Sequence, residues 1–170
     1  RDGIGSLINS TEGVLFLEGS TLENGGSNRI MSLSDKTNNN LIYIRFDTTA
    51  SRIWVFARGS GGSYNTIQVN SVNQTNNNKI ALVWDATNIK IWINGVESGS
   101  TTTNNSPVGM TTLNFGDPTS TSNFFGKVKQ LQVYDTALTD EQLLQLTGES
   151  GTDFYESYAE MASALTYTIQ

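Results

Sequence analysis

The alternation of side chains between residues 78 and 97 is the feature that most constrains the fold. The segment reads NKIALVWDATNIKIWINGVE, two apolar runs joined by the short connection DATN. Because successive side chains of a strand point to opposite faces of a sheet, the two runs predict a β-hairpin. Its register places six large apolar residues on one face: Ile80, Leu82, Trp84, Ile89, Ile91 and Ile93. We therefore predict that Trp84 is an anchor of the core.

The opposite face of this hairpin has a mixed character, with Ala81, Val83, Lys90, Trp92 and Asn94. Trp92 is therefore expected on the outer side of the sheet. It either packs under a loop or helix, which we favour, or is accessible to a ligand.

Similar short apolar runs recur along the chain between clusters of Gly, Asn, Ser and Thr, which predicts an all-β antiparallel β-sandwich of the jelly-roll type. We expect seven or more strands, approximately at Gly13–Glu18, Arg29–Leu33, Leu41–Asp47, Arg52–Arg58, Tyr64–Val69, Lys79–Trp84, Ile89–Asn94, Thr112–Phe115 and Lys127–Tyr134. The polar stretches SVNQTNNN and ESGSTTTNNSP are expected to be loops.

Two short C-terminal helices are expected to follow the strands. Thr139 as N-cap and Gln142 at the capping-box position predict a helix over Asp140–Thr147, with Gly148 as its stop. After Asp153, a second helical face would carry Phe154, Tyr158, Met161 and Leu165.

The composition excludes much enzymatic chemistry. The 170 residues suit one domain, and they include no histidine and no cysteine. Nucleophile pairs that need either residue, and zinc or iron–sulfur sites built on them, are therefore ruled out. We expect no catalytic residues and no enzyme activity.

The net charge of the chain argues against anionic partners. A formal net charge of −6 argues against nucleic acid or an anionic membrane surface, and it favours a neutral ligand. No apolar run has the length of a membrane span, and no signal peptide is visible. Since the chain begins at Arg1, we expect it to be part of a longer protein, with residues 1–10 as a lead-in.

The best candidate for a ligand site lies on the outer face of three adjacent predicted strands. Alternation sends every second residue of these strands into the core and the others to an outer face, which includes Phe56 and Thr66. The same face carries six candidate ligand-binding side chains: Tyr43, Arg45, Trp54, Arg58, Tyr64 and Gln68. Aromatic rings can stack on the apolar faces of sugars, while Arg and Gln can hydrogen-bond sugar hydroxyls. The alternative is that the second C-terminal helix, with its own stripe of Phe, Tyr and Met, or a neighbouring subunit covers this face.

Two segments resemble a known superfamily. The hairpin NKIALVWDATNIKIWINGVE and the closing segment FFGKVKQLQVYDTALTDEQLLQLTG resemble laminin-G-like and concanavalin A-like lectin/glucanase domains, as do EGVLFLE and NRIMSLSD nearer the start. The resemblance covers about residues 11–148, which we interpret as the jelly-roll domain, with residues 149–170 as a helical tail. It implies the fold more strongly than a function, since lectins, glycanases and structural modules share it.

The polar composition and the ending YESYAEMASALTYTIQ resemble domains attached to bacteriophage tail or head fibres. This resemblance implies a virion-surface, extracellular module for host recognition. Its partners would be a glycan or bacterial surface polysaccharide and other virion or fibre proteins, with a homotrimer as one arrangement. A structural decoration or trimerising domain without sugar binding is the alternative.

The sequence departs from the superfamily's catalytic and metal-binding members. The glycanases use alternating carboxylates on one strand, a spacing that this chain lacks, so a glycanase is the least favoured function. We expect no cofactor. Calcium is an open alternative at the loop acids Asp35, Asp85, Asp117 and Asp135, although turn formation is the favoured role of each. Asn9, Asn73 and Asn104 match the glycosylation pattern, which we attribute to chance.

Overall fold

The computed structural model describes residues 5–102, 106–119 and 121–148. After a 3₁₀ turn at Gly5–Leu7, ten strands precede one helix: β1 (Gly13–Thr21), β2 (Arg29–Ser34), β3 (Leu41–Phe46), β4 (Arg52–Arg58), β5 (Asn65–Asn70), β6 (Asn78–Trp84), β7 (Asn88–Ile93), β8 (Val96–Thr102), β9 (Thr112–Asn114), β10 (Gly126–Tyr134) and α1 (Asp140–Thr147). The predicted all-β class is confirmed.

The strands form two antiparallel sheets that pack as a jelly-roll-like sandwich. Sheet A has the order β10-β1-β6-β7-β8, and sheet B has the order β5-β4-β3-β2-β9. The core lies between them and takes every second residue of each central strand, as expected when two sheets pack face to face. Each sheet therefore keeps a second, outward face.

The hairpin of β6 and β7 has the predicted register. Leu82 pairs with Ile91 and Trp84 pairs with Ile89, so the apolar side chains share the inner face. Trp84 is buried, and its Nε1 donates to the carbonyl oxygen of Asn9 at 3.2 Å. The prediction that Trp84 anchors the core is confirmed.

Strand β8 corrects the sequence interpretation, which assigned ESGSTTTNNSP to a loop. Asn94 and Gly95 both have positive φ, 50° and 83°, and these values suit a two-residue hairpin turn that reverses β7 into β8. Val96 then pairs with Ile93, and the strand continues to Thr102. Because β8 is at the edge of sheet A and its side chains are largely exposed, it needs no apolar alternation and shows none.

Helix α1 packs on the outer face of sheet A. Its N-cap and capping box are those predicted: Gln142 N donates to Thr139 Oγ1, and Thr139 N donates to Gln142 Oε1. Leu143 is fully buried in a small cluster with Phe16 and Trp92. Trp92 is therefore only 8% exposed, which confirms that it packs beneath a helix. The second predicted helix, with Phe154, lies outside the described residues.

Among the described residues, no helix combines the length and the apolar character needed to cross a membrane.

Candidate functional site

The six candidate side chains lie along the outer face of sheet B, hereafter the arginine–aromatic face, which also includes Arg52 and Phe56. Strand register aligns Arg45 with Trp54, Tyr43 with Phe56, and Trp54 with Gln68. The inward partners of these strands, such as Ile44 and Val55, are fully buried in the core. The helix α1 lies on the other sheet, so it does not cover this face. The second predicted helix, which is the alternative cover of this face, lies outside the described residues.

The aromatic rings of the face form one continuous stack across strands β3 and β4 and the segment before β5. The Phe56 ring is central: its centroid is 4.5 Å from that of Tyr43 and 5.5 Å from that of Trp54, both stacked. Tyr64 meets Phe56 edge-on at 5.8 Å. These separations fall in the range in which aromatic pairs attract each other beyond simple burial.

Arginine side chains cover part of this stack. The guanidinium carbon of Arg45 lies 5.2 Å from the ring centroid of Trp54 and 4.8 Å from that of Phe56. That of Arg52 lies 5.7 Å from the Trp54 ring. Trp54 is thus partly covered by cation–π contacts, so its ring is less open than the sequence suggested.

Asp47 holds the two arginines at one end of the face. Its carboxylate accepts from Arg52 Nε in a short contact and lies 3.5 Å from Arg45 Nη2. Burial alone would raise the pKa of Asp47, but the hydrogen bond from Arg52 and the charges of both arginines lower it overall. The carboxylate therefore stays ionised and fixes the position of both guanidinium groups.

At the other end, Arg58 binds the loop between β4 and β5. Its Nε and Nη2 donate to the carbonyls of Gly62 at 2.7 Å and Gly61 at 2.8 Å, and its Nη1 donates to the carbonyl of Asn38 at 2.9 Å. Its Nη1 also donates to Tyr64 Oη at 3.3 Å, and the guanidinium lies 4.7 Å from the Tyr64 ring. No carboxylate among the described residues neutralises Arg58.

The charge of this face is therefore opposite to that of the whole chain. Arg45, Arg52 and Arg58 outnumber the two described acids that act on this face, Asp47 and, through its effect on Tyr43, Asp117, whereas the chain carries a net charge of −6. Three fixed guanidinium groups make the local potential more positive.

Tyr43 lies where the segment after β9 turns back over the sheet. Ser32, which pairs with Tyr43, donates its hydroxyl to the carbonyl of Gly116 at 2.6 Å and is fully buried. Burial raises the pKa of Tyr43 to about 12, against the lowering effect of Arg45. The phenol of Tyr43 is therefore neutral at physiological pH and can donate a hydrogen bond.

The exposure of the six candidates divides them. Tyr64 is 46% exposed and offers the most open ring, whereas Trp54, Tyr43 and the arginines are partly buried. Gln68 is exposed at the margin and donates to Asn70 Oδ1 at 3.0 Å. Two donors of the face, Arg45 Nε and Trp54 Nε1, are buried without a hydrogen-bond partner in the described part of the chain.

Sequence reasoning missed Arg52 and Asp47 as members of this site. Arg52 precedes Trp54 by two residues in the same strand, so both side chains point to the same face of the sheet, and strand alternation alone could have predicted this. Asp47 follows the last residue of β3, and only the fold brings it between two arginines of neighbouring strands.

Three loop acids have the predicted turn-forming role. Asp35, Asp85 and Asp117 each accept at Oδ1 from the backbone N and the hydroxyl of the threonine two residues later. Burial alone would raise the pKa of Asp117, but hydrogen bonds from Thr121 and Thr119 lower it overall. At Asp135 the backbone carbonyl accepts from Asn9 Nδ2, and no side-chain turn of this kind is seen there among the described residues. No group of three potential metal ligands occurs among residues 5–102, 106–119 and 121–148.

Two of the apparent glycosylation patterns are the same turn. Thr11 donates its N and hydroxyl to Asn9 Oδ1, and Thr75 does so to Asn73 Oδ1. An Asp or Asn followed two residues later by Thr therefore marks five turns in the described part of the chain. Asn104 lies outside the described residues.

Comparison with solved structures shows the same fold in parts of two sialidases and in the binding domain of a toxin. The CBM40 of a Ruminococcus gnavus IT-sialidase bound to α2,3-sialyllactose has a TM-score of 0.69 and 18% identity, covering 82% of this chain and 84% of that one. The NanB sialidase of Streptococcus pneumoniae has a TM-score of 0.70 and 15% identity, covering 93% and 28%. The binding domain of botulinum neurotoxin serotype G has a TM-score of 0.56 and 14% identity, covering 81% and 36%.

Sequence comparison identifies the superfamily. A search of curated protein sequences found no match. A family profile described as the concanavalin A-like lectin/glucanases superfamily matches residues 20–144, about three quarters of the chain. This range includes strands β2 to β10 and most of α1, but only the last two residues of β1. The chain therefore belongs to the concanavalin A-like lectin/glucanase superfamily.

Proposed function

We propose that this chain is a non-enzymatic, lectin-like module that binds carbohydrate on the arginine–aromatic face of sheet B. The observation that carries the proposal is the combination, on one outward face, of an open Tyr64 ring with three guanidinium groups held in place by Asp47 and loop carbonyls. A sugar needs an apolar surface for its C–H groups and donors for its hydroxyls, and this face offers both.

The charge of the face supports a glycan with an acidic group as one ligand. The sequence analysis favoured a neutral ligand because the whole chain is acidic, but Arg45, Arg52 and Arg58 make the local surface positive. The CBM40 with the same fold is bound to sialyllactose, which agrees with an acidic glycan as the ligand. We therefore propose sialylated and other acidic oligosaccharides ahead of neutral ones.

The biological setting is a proposal that rests on the sequence resemblance alone. The chain would be a virion-surface module of a bacteriophage tail or head fibre, and its ligand a bacterial surface polysaccharide. Other fibre proteins and two further copies of the chain would be its partners. The full-length sequence is the direct test, since a fibre stalk next to this domain supports the setting and an unrelated neighbouring domain contradicts it.

A glycan array with acidic and neutral oligosaccharides tests the binding site. We expect Tyr64→Ala and Trp54→Ala each to weaken binding about tenfold, since an aromatic stacking contact contributes about 1 kcal/mol or slightly more. Arg58→Lys keeps the positive charge but loses the planar guanidinium with its fixed donors, so it separates the contribution of hydrogen bonding from that of charge attraction. Phe125→Ala is the matched control, because Phe125 is an exposed aromatic ring near an arginine, Arg29, outside this face.

Binding that survives both aromatic substitutions would move the site elsewhere on the module. If no glycan binds, the second candidate, an assembly interface on the same face, gains support from its half-buried aromatic stack. Light scattering distinguishes that candidate: a stable monomer with no glycan affinity would count against both.

A further inference from the structure

A second, polar cleft lies on the outer face of sheet A, beside the C-terminal end of α1. Its volume is about 440 Å³, and its lining includes Glu18, Asn77, Asn78, Lys79, Asn94 and Lys129. This volume is within the range of small-ligand sites, roughly 300 to 1,000 Å³.

Glu18 places an ionised carboxylate in this cleft. The residue is only 2% exposed, and its Oε1 accepts from Lys129 Nζ and from Asn77 Nδ2, each at 2.8 Å. The hydrogen bond from Lys129 lowers the pKa of Glu18, and this effect outweighs the opposing effect of burial. Only the carboxylate of this ion pair is buried, since the Lys129 side chain is 67% exposed, so the pair faces solvent at its ammonium end. An ionised carboxylate held by a charged partner in the lining of a cleft is a feature of binding sites.

A β-bulge creates this arrangement. Glu18 pairs with Gln130 and Gly19 pairs with Val128, so Lys129 is an extra residue on the edge strand β10. The bulge breaks the alternation of β10 and lets the Lys129 side chain reach the outer face, where Glu18 lies. Gly19 is required there, because a Cβ at this position would be 2.4 Å from the Lys127 carbonyl oxygen.

The opposite wall is fixed by amide side chains. Asn94 Nδ2 donates to Asn78 Oδ1 at 3.0 Å, while Asn94 Oδ1 accepts from the backbone N of Lys79 at 2.9 Å. Asn78 Nδ2 in turn donates to the carbonyls of Asn73 and Asn76, both at 2.9 Å. Lys79 Nζ donates to the carbonyl of Gly148 at 2.5 Å, just beyond α1. These bonds hold the polar groups before any ligand arrives, which lowers the cost of ordering them.

We propose that this cleft is a second ligand site, for a neutral, hydroxyl-rich ligand of the size of one hexose unit. The Glu18 carboxylate accepts hydrogen bonds from adjacent hydroxyls, and the amides of the Asn side chains both donate and accept. The carboxylate repels an anion, and the ammonium groups of Lys79 and Lys129 repel a cation. The cleft has no aromatic residue in its lining, so binding relies on hydrogen bonds and is weak.

The test is an NMR titration of the full chain with the methyl glycosides of glucose, galactose, mannose and N-acetylglucosamine. We expect saturable shifts of the backbone amide signals of Asn77, Asn78 and Asn94 with at least one glycoside, at a Kd of about 1 mM or above. Glu18→Gln removes the acceptor-only carboxylate and should weaken this binding at least about fivefold, because hydrogen bonds to a charged group are the stronger ones. Glu97→Gln, at an exposed carboxylate of β8, is the matched control and should change nothing.

Asn77→Ala keeps the test decisive if Glu18→Gln unfolds the protein, because Asn77 is exposed and its loss removes one donor to Glu18. The proposal is overturned if none of the four glycosides shifts these signals, or if both variants bind as the unaltered chain does. Shifts confined to Trp54, Tyr64 and their neighbours would support the site on sheet B and overturn this one. The two sites lie on opposite sheets, so each can fail alone.

Discussion

Gln74 connects three loops at the end of the sandwich near Asp47, and its replacement by Glu should have a large cost. Its side chain is buried: Nε2 donates to the carbonyls of Asp47 at 3.1 Å, Thr49 at 3.2 Å and Arg52 at 2.7 Å. Its Oε1 accepts from Gly25 N at 2.8 Å. Gln74→Glu has nearly the same shape, so it changes the hydrogen bonding while leaving the packing as it is.

The size of the effect follows from these bonds. An ionised carboxylate keeps the acceptor for Gly25 but loses both N–H donors, and it then opposes three carbonyl oxygens. A buried polar group left unpaired costs about 1 to 3 kcal/mol, and an unpaired buried charge costs more. We therefore expect the free energy of unfolding to fall by about 3 to 5 kcal/mol at neutral pH, a large part of a typical total of about 5 to 15 kcal/mol.

Urea denaturation followed by tryptophan fluorescence measures this loss. Gln145→Glu, on the exposed surface of α1, is the matched control and should change stability by no more than about 0.5 kcal/mol. The carbonyls raise the pKa of the introduced carboxyl above that of an ordinary Glu. The deficit relative to the unaltered chain should therefore be constant above this raised pKa, and it should shrink as the pH falls through the raised pKa towards the ordinary value. A loss below about 1 kcal/mol, or one independent of pH, would refute the reasoning.

Two further predictions concern buried aromatic residues. Trp84→Phe should lower the free energy of unfolding by about 2 to 3 kcal/mol in urea denaturation, because it opens a cavity and removes the hydrogen bond to Asn9. Trp92→Phe removes an indole N–H without a described partner and should lower the free energy of unfolding by about 1 kcal/mol or less. Equal losses in the two variants would contradict this assignment. Because burial raises the pKa of Tyr43 to about 12 from the ordinary 10.0, its contribution to stability should be complete below the ordinary value and lost as the pH rises through the native one. The absorbance of phenolate during a pH titration checks this, and Tyr43→Phe should remove one late-ionising group; a titration curve unchanged by that substitution would contradict the result.

Much of the fold was predictable because it depends on patterns between near neighbours in the chain. The period-two alternation in β6 and β7, together with their short connection, determines which side chains share a face. The helix α1 follows from the capping box of Thr139 and Gln142, which involves residues only three apart. Strand β8 was not predictable from the sequence pattern, because an edge strand forms its hydrogen-bond ladder through backbone groups and the polar side chains of β8 show no period-two alternation.

The candidate site was predictable only in part. Alternation predicts that Tyr43, Arg45, Trp54 and Arg58 face the same way, and the described structure agrees. It does not predict that arginines cover Trp54 and leave Tyr64 as the open ring, since that depends on rotamers chosen in competition with Asp47 and the loop carbonyls. One turn motif recurs in this chain: a threonine follows Asp or Asn by two residues, as at Asp35. The residue spacing of this motif is visible in the sequence, whereas its hydrogen bonds are seen only in the structure.

The sequence by itself determined the fold class, the strand faces, the helix α1 and the separation of Trp84 from Trp92. These are consequences of steric alternation and capping, which act over a few residues. Only the tertiary structure decided that α1 packs on sheet A rather than on sheet B, and that a bulge brings Lys129 to Glu18, 111 residues away in the chain. Such contacts depend on the order of strands within each sheet, to which residues distant in sequence contribute together, so no local pattern encodes them.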